Sequence, residues 1–88
     1  MKINMWIFNT VKFKILENFI SSLWYKKYSQ EGSHIKYKLW NKSLIIPKHK
    51  EISRWTINNI FKIISIHTST EKKEIEINFI EYFNKVRK

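Results

Sequence analysis

Gly32-Ser33-His34-Ile35-Lys36-Tyr37-Lys38-Leu39-Trp40 is the stretch on which the fold turns. Read as a strand, its period of two sends Ile35, Tyr37 and Leu39 to one face and His34, Lys36, Lys38 and Trp40 to the other. One histidine then shares a face with two lysines. Imidazole is the side chain best suited to moving a proton near neutral pH, and ammonium groups attract and neutralise phosphate. RNA cleavage is therefore a hypothesis from the outset.

Working outward, Tyr25 to Gln30 reads as a preceding short strand, with Glu31-Gly32 as the turn between the two. On the other side Asn41-Lys42 suits a tight hairpin, because asparagine tolerates positive φ. Ser43 to Ile46 follows as a third strand, stopped by Pro47, which has no amide proton for a ladder.

Helical spacing brackets these strands. From Lys12 to Trp24 the positions Leu16, Phe19, Ile20 and Leu23 recur as on one helix face, although Val11, Phe13 and Ile15 alternate as a strand would. After the basic loop Lys48-His49-Lys50, Thr56 reads as an N-cap, and Ile57, Ile60, Phe61 and Ile64 fit an amphipathic helix. A last helix is expected to open with Thr68 and Glu71 at capping-box spacing. Its apolar stripe is Ile75, Phe79, Ile80, Phe83 and Val86, and Glu74 to Ile77 alternates as a strand also would. The fold class expected is α+β, in the order helix, three antiparallel strands, helix, with the helices on one face and an extra C-terminal helix. The domain division expected is 1–68 for the main unit and 69–88 for a helical extension.

A chain of 88 residues with 43% hydrophobic and 16% aromatic content has room for one small domain and a real core. Cysteine is absent, which excludes disulfides, thiol catalysis and thiolate zinc sites. A cytoplasmic location fits. Met1 to Phe8 resembles a stub of a signal peptide, but Lys12, Lys14 and Glu17 interrupt it and no small-residue cleavage site follows. No apolar run approaches the roughly 20 residues of a spanning helix, so no membrane association is expected.

The formal charge of +10 argues for an anionic partner. Alanine and aspartate are missing and isoleucine, lysine and asparagine crowd the chain, so part of the basicity reflects an AT-rich coding sequence. Distribution says more. Residues 1–68 hold 12 Lys/Arg against 3 acidic residues, whereas 69–88 hold 5 against 4, so the excess lies where His34 lies.

Several matches in register resemble one family. Gly32-Ser33-His34, the strand end Leu44-Ile45-Ile46-Pro47, the following Lys48-His49-Lys50-Glu51 and Thr56-Ile57-Asn58-Asn59-Ile60-Phe61-Lys62 resemble HicA-type toxins in order and spacing. Gln30, two residues before the glycine, and the helix bearing Leu16, Phe19, Ile20 and Leu23 fit as well. The resemblance spans roughly Lys14 to Ile66. It implies a fold like a double-stranded RNA-binding domain, mRNA endoribonuclease activity, a required histidine at His34 and a HicB-type antitoxin partner. Trp24 and Trp55 stand where the family often has glycine, so two positive-φ positions are expected to be lost. Ile35 replaces a histidine or polar residue, and Ser29 an arginine.

On this reading His34 is the general base and acid. Gly32, Ser33, Lys36, Lys38, Lys48, His49 and Lys50 bind substrate, with His49 in a binding or supporting role. No metal or cofactor is expected, because Glu17, Glu31 and Glu51 have no recognisable metal-binding spacing. Sequence identifies no second proton-transfer group. Trp40 suits stacking on a base or covering apolar surface, while Trp6, Trp24 and Trp55 are assigned to packing. Two other classes remain open: an RNA-binding module that does not cleave, and a degenerate toxin acting as a protein-interaction module. The apolar stripe of 69–88 must be buried, by docking on its own domain, which is favoured, in a homodimer, or against a partner.

Overall fold

Alternating apolar positions build the sheet, and helical stripes cover it. The computed structural model describes residues 9–86. In chain order the elements are β1 (Thr10–Lys12), α1 (Phe13–Ser22), β2 (Lys26–Glu31), β3 (His34–Leu39), β4 (Lys42–Pro47), β5 (Glu51–Ser53), α2 (Arg54–Thr68) and α3 (Lys72–Val86). The central sheet is antiparallel in the order β2-β3-β4, so the expected α-β-β-β-α order with an extra C-terminal helix is the observed architecture.

Register explains the covered face. Ile35 pairs with Ile46 and Tyr37 with Leu44, and all four are buried. Against them lie Leu16, Phe19 and Ile20 of α1 and Ile57, Ile60, Phe61 and Ile64 of α2. The third helix closes the cluster. Phe79 is fully buried, with its ring 5.0 Å from Phe19 and 5.4 Å from Phe61, both edge-on, and Ile75 is buried beside it. Such tilted aromatic contacts add to the ~1.5–3 kcal/mol that burying a large side chain contributes. Ile80, Tyr82 and Phe83 pack on this core from the half-buried flank, and Val86 is exposed.

Five local details differ from the sequence expectation. Residues 10–12 and 51–53 form a second, two-stranded sheet that was not anticipated, with buried Val11 opposite buried Ile52. The helix after it therefore opens one turn earlier than expected, at Arg54, and Ser53 rather than Thr56 caps α2, its side chain accepting the Thr56 N–H. Thr68 ends α2 instead of opening α3, its hydroxyl donating to the Ile64 carbonyl.

The turns are the fourth difference. They are Gly32–Ser33 and Trp40–Asn41, each one residue later or earlier than expected, because Glu31 pairs with His34 and Leu39 with Lys42. Trp40 therefore lies in a turn at φ 58°, off the His34 face and 90% exposed.

The last is Trp24. It was assigned to packing but is 79% exposed, as Trp55 is exposed on the first turn of α2; Trp6 lies outside the described residues, as does the stretch Met1 to Phe8. Trp24 sits at φ 76°, donating to the Ser21 carbonyl while Tyr25 N–H reaches Ile20 O. These paired bonds form the Schellman ending of α1, which demands a left-handed residue that is usually glycine. The left-handed position is kept without a glycine. A side chain there points away from the helix, so the indole stays in water.

Candidate functional site

The face of the sheet away from the helices is built by the same register that fills the core. Residues directly opposite one another in an antiparallel pair share a face. Three rows result: Glu31, His34 and Pro47; Ser29, Lys36 and Ile45; Lys26, Lys38 and Ser43. His34 is exposed, and Lys36 and Lys38 are half-buried.

The turn that presents His34 is fastened on both sides. Gly32 takes φ 58°, a left-handed conformation that a side chain would strain, although its surroundings leave space for a Cβ. The Gln30 side-chain amide donates to the Gly32 carbonyl at 3.0 Å. From the other side the Lys48 N–H donates to the Ser33 carbonyl at 2.5 Å. This second bond ties the loop after β4 to the start of β3, so Lys48 and Ser33 meet at the end of the sheet where His34 stands.

Ser29, Glu31, His34, Lys36 and Ile45 line one shallow hollow on this face. Of the expected site residues, His34 and Lys36 share the hollow, Gly32 and Ser33 form the turn just before His34, and Lys48 is tied to that turn through the Ser33 carbonyl. Lys38 lies farther along. Its ammonium stands 4.2 Å from the centroid of the Tyr28 ring, which a bulge between Lys27 and Ser29 leaves unpaired in the ladder. His49 and Lys50 are exposed in the loop, and the Lys50 carbonyl accepts the Phe13 N–H at the start of α1.

Glu31 is the site residue that sequence reasoning missed. The signal is the length of the turn: two residues, Gly32 and Ser33, put Glu31 opposite His34, whereas a turn at Glu31-Gly32 hides the pairing. The other two carboxylates of the basic region are engaged elsewhere. Glu51 accepts from the Thr10 hydroxyl, and Glu17 accepts from the Tyr37 hydroxyl at 2.7 Å. Burial alone would raise the Glu17 carboxyl, but the hydrogen bonds from Tyr37 and Lys14 outweigh it and hold it below its ordinary value. Burial and the same Glu17 bond push the Tyr37 phenol up.

This ordering of glycine turn, histidine strand, basic loop and capped helix is matched by the family model described as the HicA toxin of bacterial toxin-antitoxin systems, over residues 16–66. The chain belongs to the HicA toxin family. No curated protein and no solved structure matches it. The HicA match takes in α1 from its second turn, the three-stranded sheet, the basic loop, β5 and most of α2. It leaves out β1 and α3, which this chain packs onto the same core. Membership makes the protein a toxin of the toxin-antitoxin kind, a class paired with an antitoxin counterpart. Among the described residues no helix is long and apolar enough to cross a membrane.

Proposed function

We propose that the protein is an mRNA-cleaving endoribonuclease of the HicA type, working in the cytoplasm and restrained by a HicB-type antitoxin. The observation that carries this reading is the hollow shared by His34, Lys36 and Glu31, with Ser33 and Lys48 tied together at the turn before His34. His34 takes the proton from a ribose 2′-hydroxyl as that oxygen bonds to the adjacent phosphorus. The bond from phosphorus to the 5′-oxygen breaks, and the leaving oxygen acquires a proton, giving a 2′,3′-cyclic phosphate and a 5′-hydroxyl end. Lys36, Lys48 and the Ser33 hydroxyl offset the charge that grows on the phosphoryl oxygens. Glu31, directly across the ladder from His34, is the group suited to orienting the imidazole or taking part in the second proton transfer.

Residues 1–68 are the RNA-binding and cleaving unit on this reading, and 69–88 are an extension that thickens its core. The chemistry as drawn uses no metal ion. The test is cleavage of purified mRNA by the wild type and by His34→Ala, with the product ends determined and EDTA present in a parallel reaction. Cyclic phosphate ends, indifference to EDTA and loss of cleavage in the variant are expected. Equal cleavage by both proteins removes His34 from the mechanism. Tight RNA binding with no cleavage by the wild type makes the chain a binding module instead.

A further inference from the structure

A second concavity lies at the opposite end of the sheet from His34. It is a groove of about 770 Å³, lined by Trp24, Trp40, Lys26, Lys38, Leu39 and His67 among others. Its volume is within the roughly 300–1,000 Å³ of small-molecule sites. Two features of its walls need a reason. Trp24 and Trp40 are 79% and 90% exposed, and both occupy left-handed backbone, at φ 76° and 58°. Bulky residues in that region are strained, and these two return nothing to the core. Two indoles held out in water at strained positions, both lining one groove, point to a ligand.

The chemistry of the groove names that ligand. Among the described residues no lining side chain is acidic, Lys26 and Lys38 line the groove with the indoles, and Lys42 donates to the His67 carbonyl at 3.0 Å. The Tyr25 hydroxyl lies 2.8 Å from His67 Nδ1. Aromatic side chains with an imidazole and cations suit a planar base joined to phosphate. An acidic peptide would find the lysines but has no use for two exposed indoles.

We infer that the groove lined by Trp24 and Trp40 binds an unpaired base of the RNA strand whose backbone crosses the His34 face. This rests on the reading of RNA as substrate given above. Lys38 belongs to both places, four residues along β3 from His34, or about 13 Å at the usual rise of a strand. A base in a duplex keeps its faces stacked on its neighbours, so the groove selects single-stranded segments even though the fold is of the α-β-β-β-α kind.

The test uses the full chain carrying His34→Ala, so that the probe survives. Anisotropy is read with a fluorescein-labelled single-stranded RNA, with the same strand annealed to its complement, and with adenosine monophosphate as competitor. Trp24→Gly and Trp40→Gly are combined, glycine being the replacement that left-handed backbone accepts without strain. The parent is expected to prefer the single strand. The double variant is expected to lose at least about fivefold in single-strand affinity and nothing in duplex affinity. Its melting temperature should not fall. Unchanged single-strand affinity, alongside a loss in Lys36→Ala/Lys38→Ala, overturns the groove and leaves the RNA reading standing. A parent that binds no RNA overturns both. Adenosine monophosphate bound as tightly as the strand makes the groove a free-nucleotide site and overturns the strand assignment. Unchanged RNA affinity with altered self-association assigns the indoles to a protein contact, and so overturns it too.

Discussion

The Tyr25 hydroxyl and the His67 imidazole meet at 2.8 Å where the end of α1 approaches the end of α2. Burial pushes the Tyr25 phenol up to about 12, so it stays protonated at any ordinary pH. Burial, and then the charge of Lys42, lower the His67 value below 6.5. The unfolded chain therefore takes up this proton first as pH falls. Stability from the pair is complete above 6.5 and is lost as pH drops through the lower folded value. The melting temperature should decline over that window, and His67→Gln should flatten the decline. An identical pH profile in that variant would show the pair to be neutral. Glu17, also lowered, acts in a separate window below 4.5.

His34→Ala should reduce cleavage by about 10²- to 10⁴-fold, the usual contribution of a positioned acid-base group. Its melting temperature should be unchanged, because an exposed imidazole at a strand end buries little surface. Glu31→Gln distinguishes the roles of the facing pair. If Glu31 orients the imidazole, kcat falls with KM nearly constant and the pH profile of kcat shifts. A profile that stays in place would reduce Glu31 to a bystander.

Lys36→Ala and Lys38→Ala together should flatten the salt dependence of RNA binding. Each phosphate contact removed lowers the slope of log affinity against log salt by about 0.7 for a single strand. Fluorescence titrations over a range of salt concentrations read this directly, and an unaltered slope would make both lysines mere solvated surface.

Phe79→Ala should destabilise the protein by about 3–5 kcal/mol, the range for removing a buried aromatic ring. The ring joins α3 to Phe19 and Phe61, so the loss should appear as one cooperative transition at lower denaturant. A separate early transition would mean that α3 unfolds by itself.

Trp24→Gly should raise stability by about 0.5–1 kcal/mol, since the left-handed residue ending α1 is then one that adopts φ 76° without a Cβ penalty. Calorimetry on the single variant suffices. A lower melting temperature would mean that the indole covers more surface than its exposure indicates.

Much of this was legible in the chain because two periods are strong in it. Ile35, Tyr37 and Leu39 alternate cleanly, and Ile57, Ile60, Phe61 and Ile64 leave no choice but a helix, so sheet face and cover could be read directly. The β1 and β5 strands could not, for three residues are too few to show a period. Ser53 and Thr56 are both capping types three residues apart, and only the pairing of Ile52 with Val11 chooses between them. Trp40 continues the alternation of β3 perfectly; pattern alone does not say where a strand stops. Trp24 and Trp55 illustrate the one-way nature of burial rules, which predict what is inside better than what is out. At the site, His34, Ser33 and Lys36 were visible as residue types, while Glu31 depended on the phase of a two-residue turn.

The small sheet of β1 and β5 also sets an order in time. Its pairs join Thr10 to Ser53, Val11 to Ile52 and Lys12 to Glu51, so each closes a loop that contains α1 and all of the central sheet. The β2-β3 and β3-β4 hairpins close over two residues and can form within about 1–10 μs. The distant pairing carries the larger loop entropy for only three residues on each side. It is therefore expected to be the last strand pairing to form as the chain folds. The start of α1, held at Phe13 by the carbonyl of Lys50, is fixed with it.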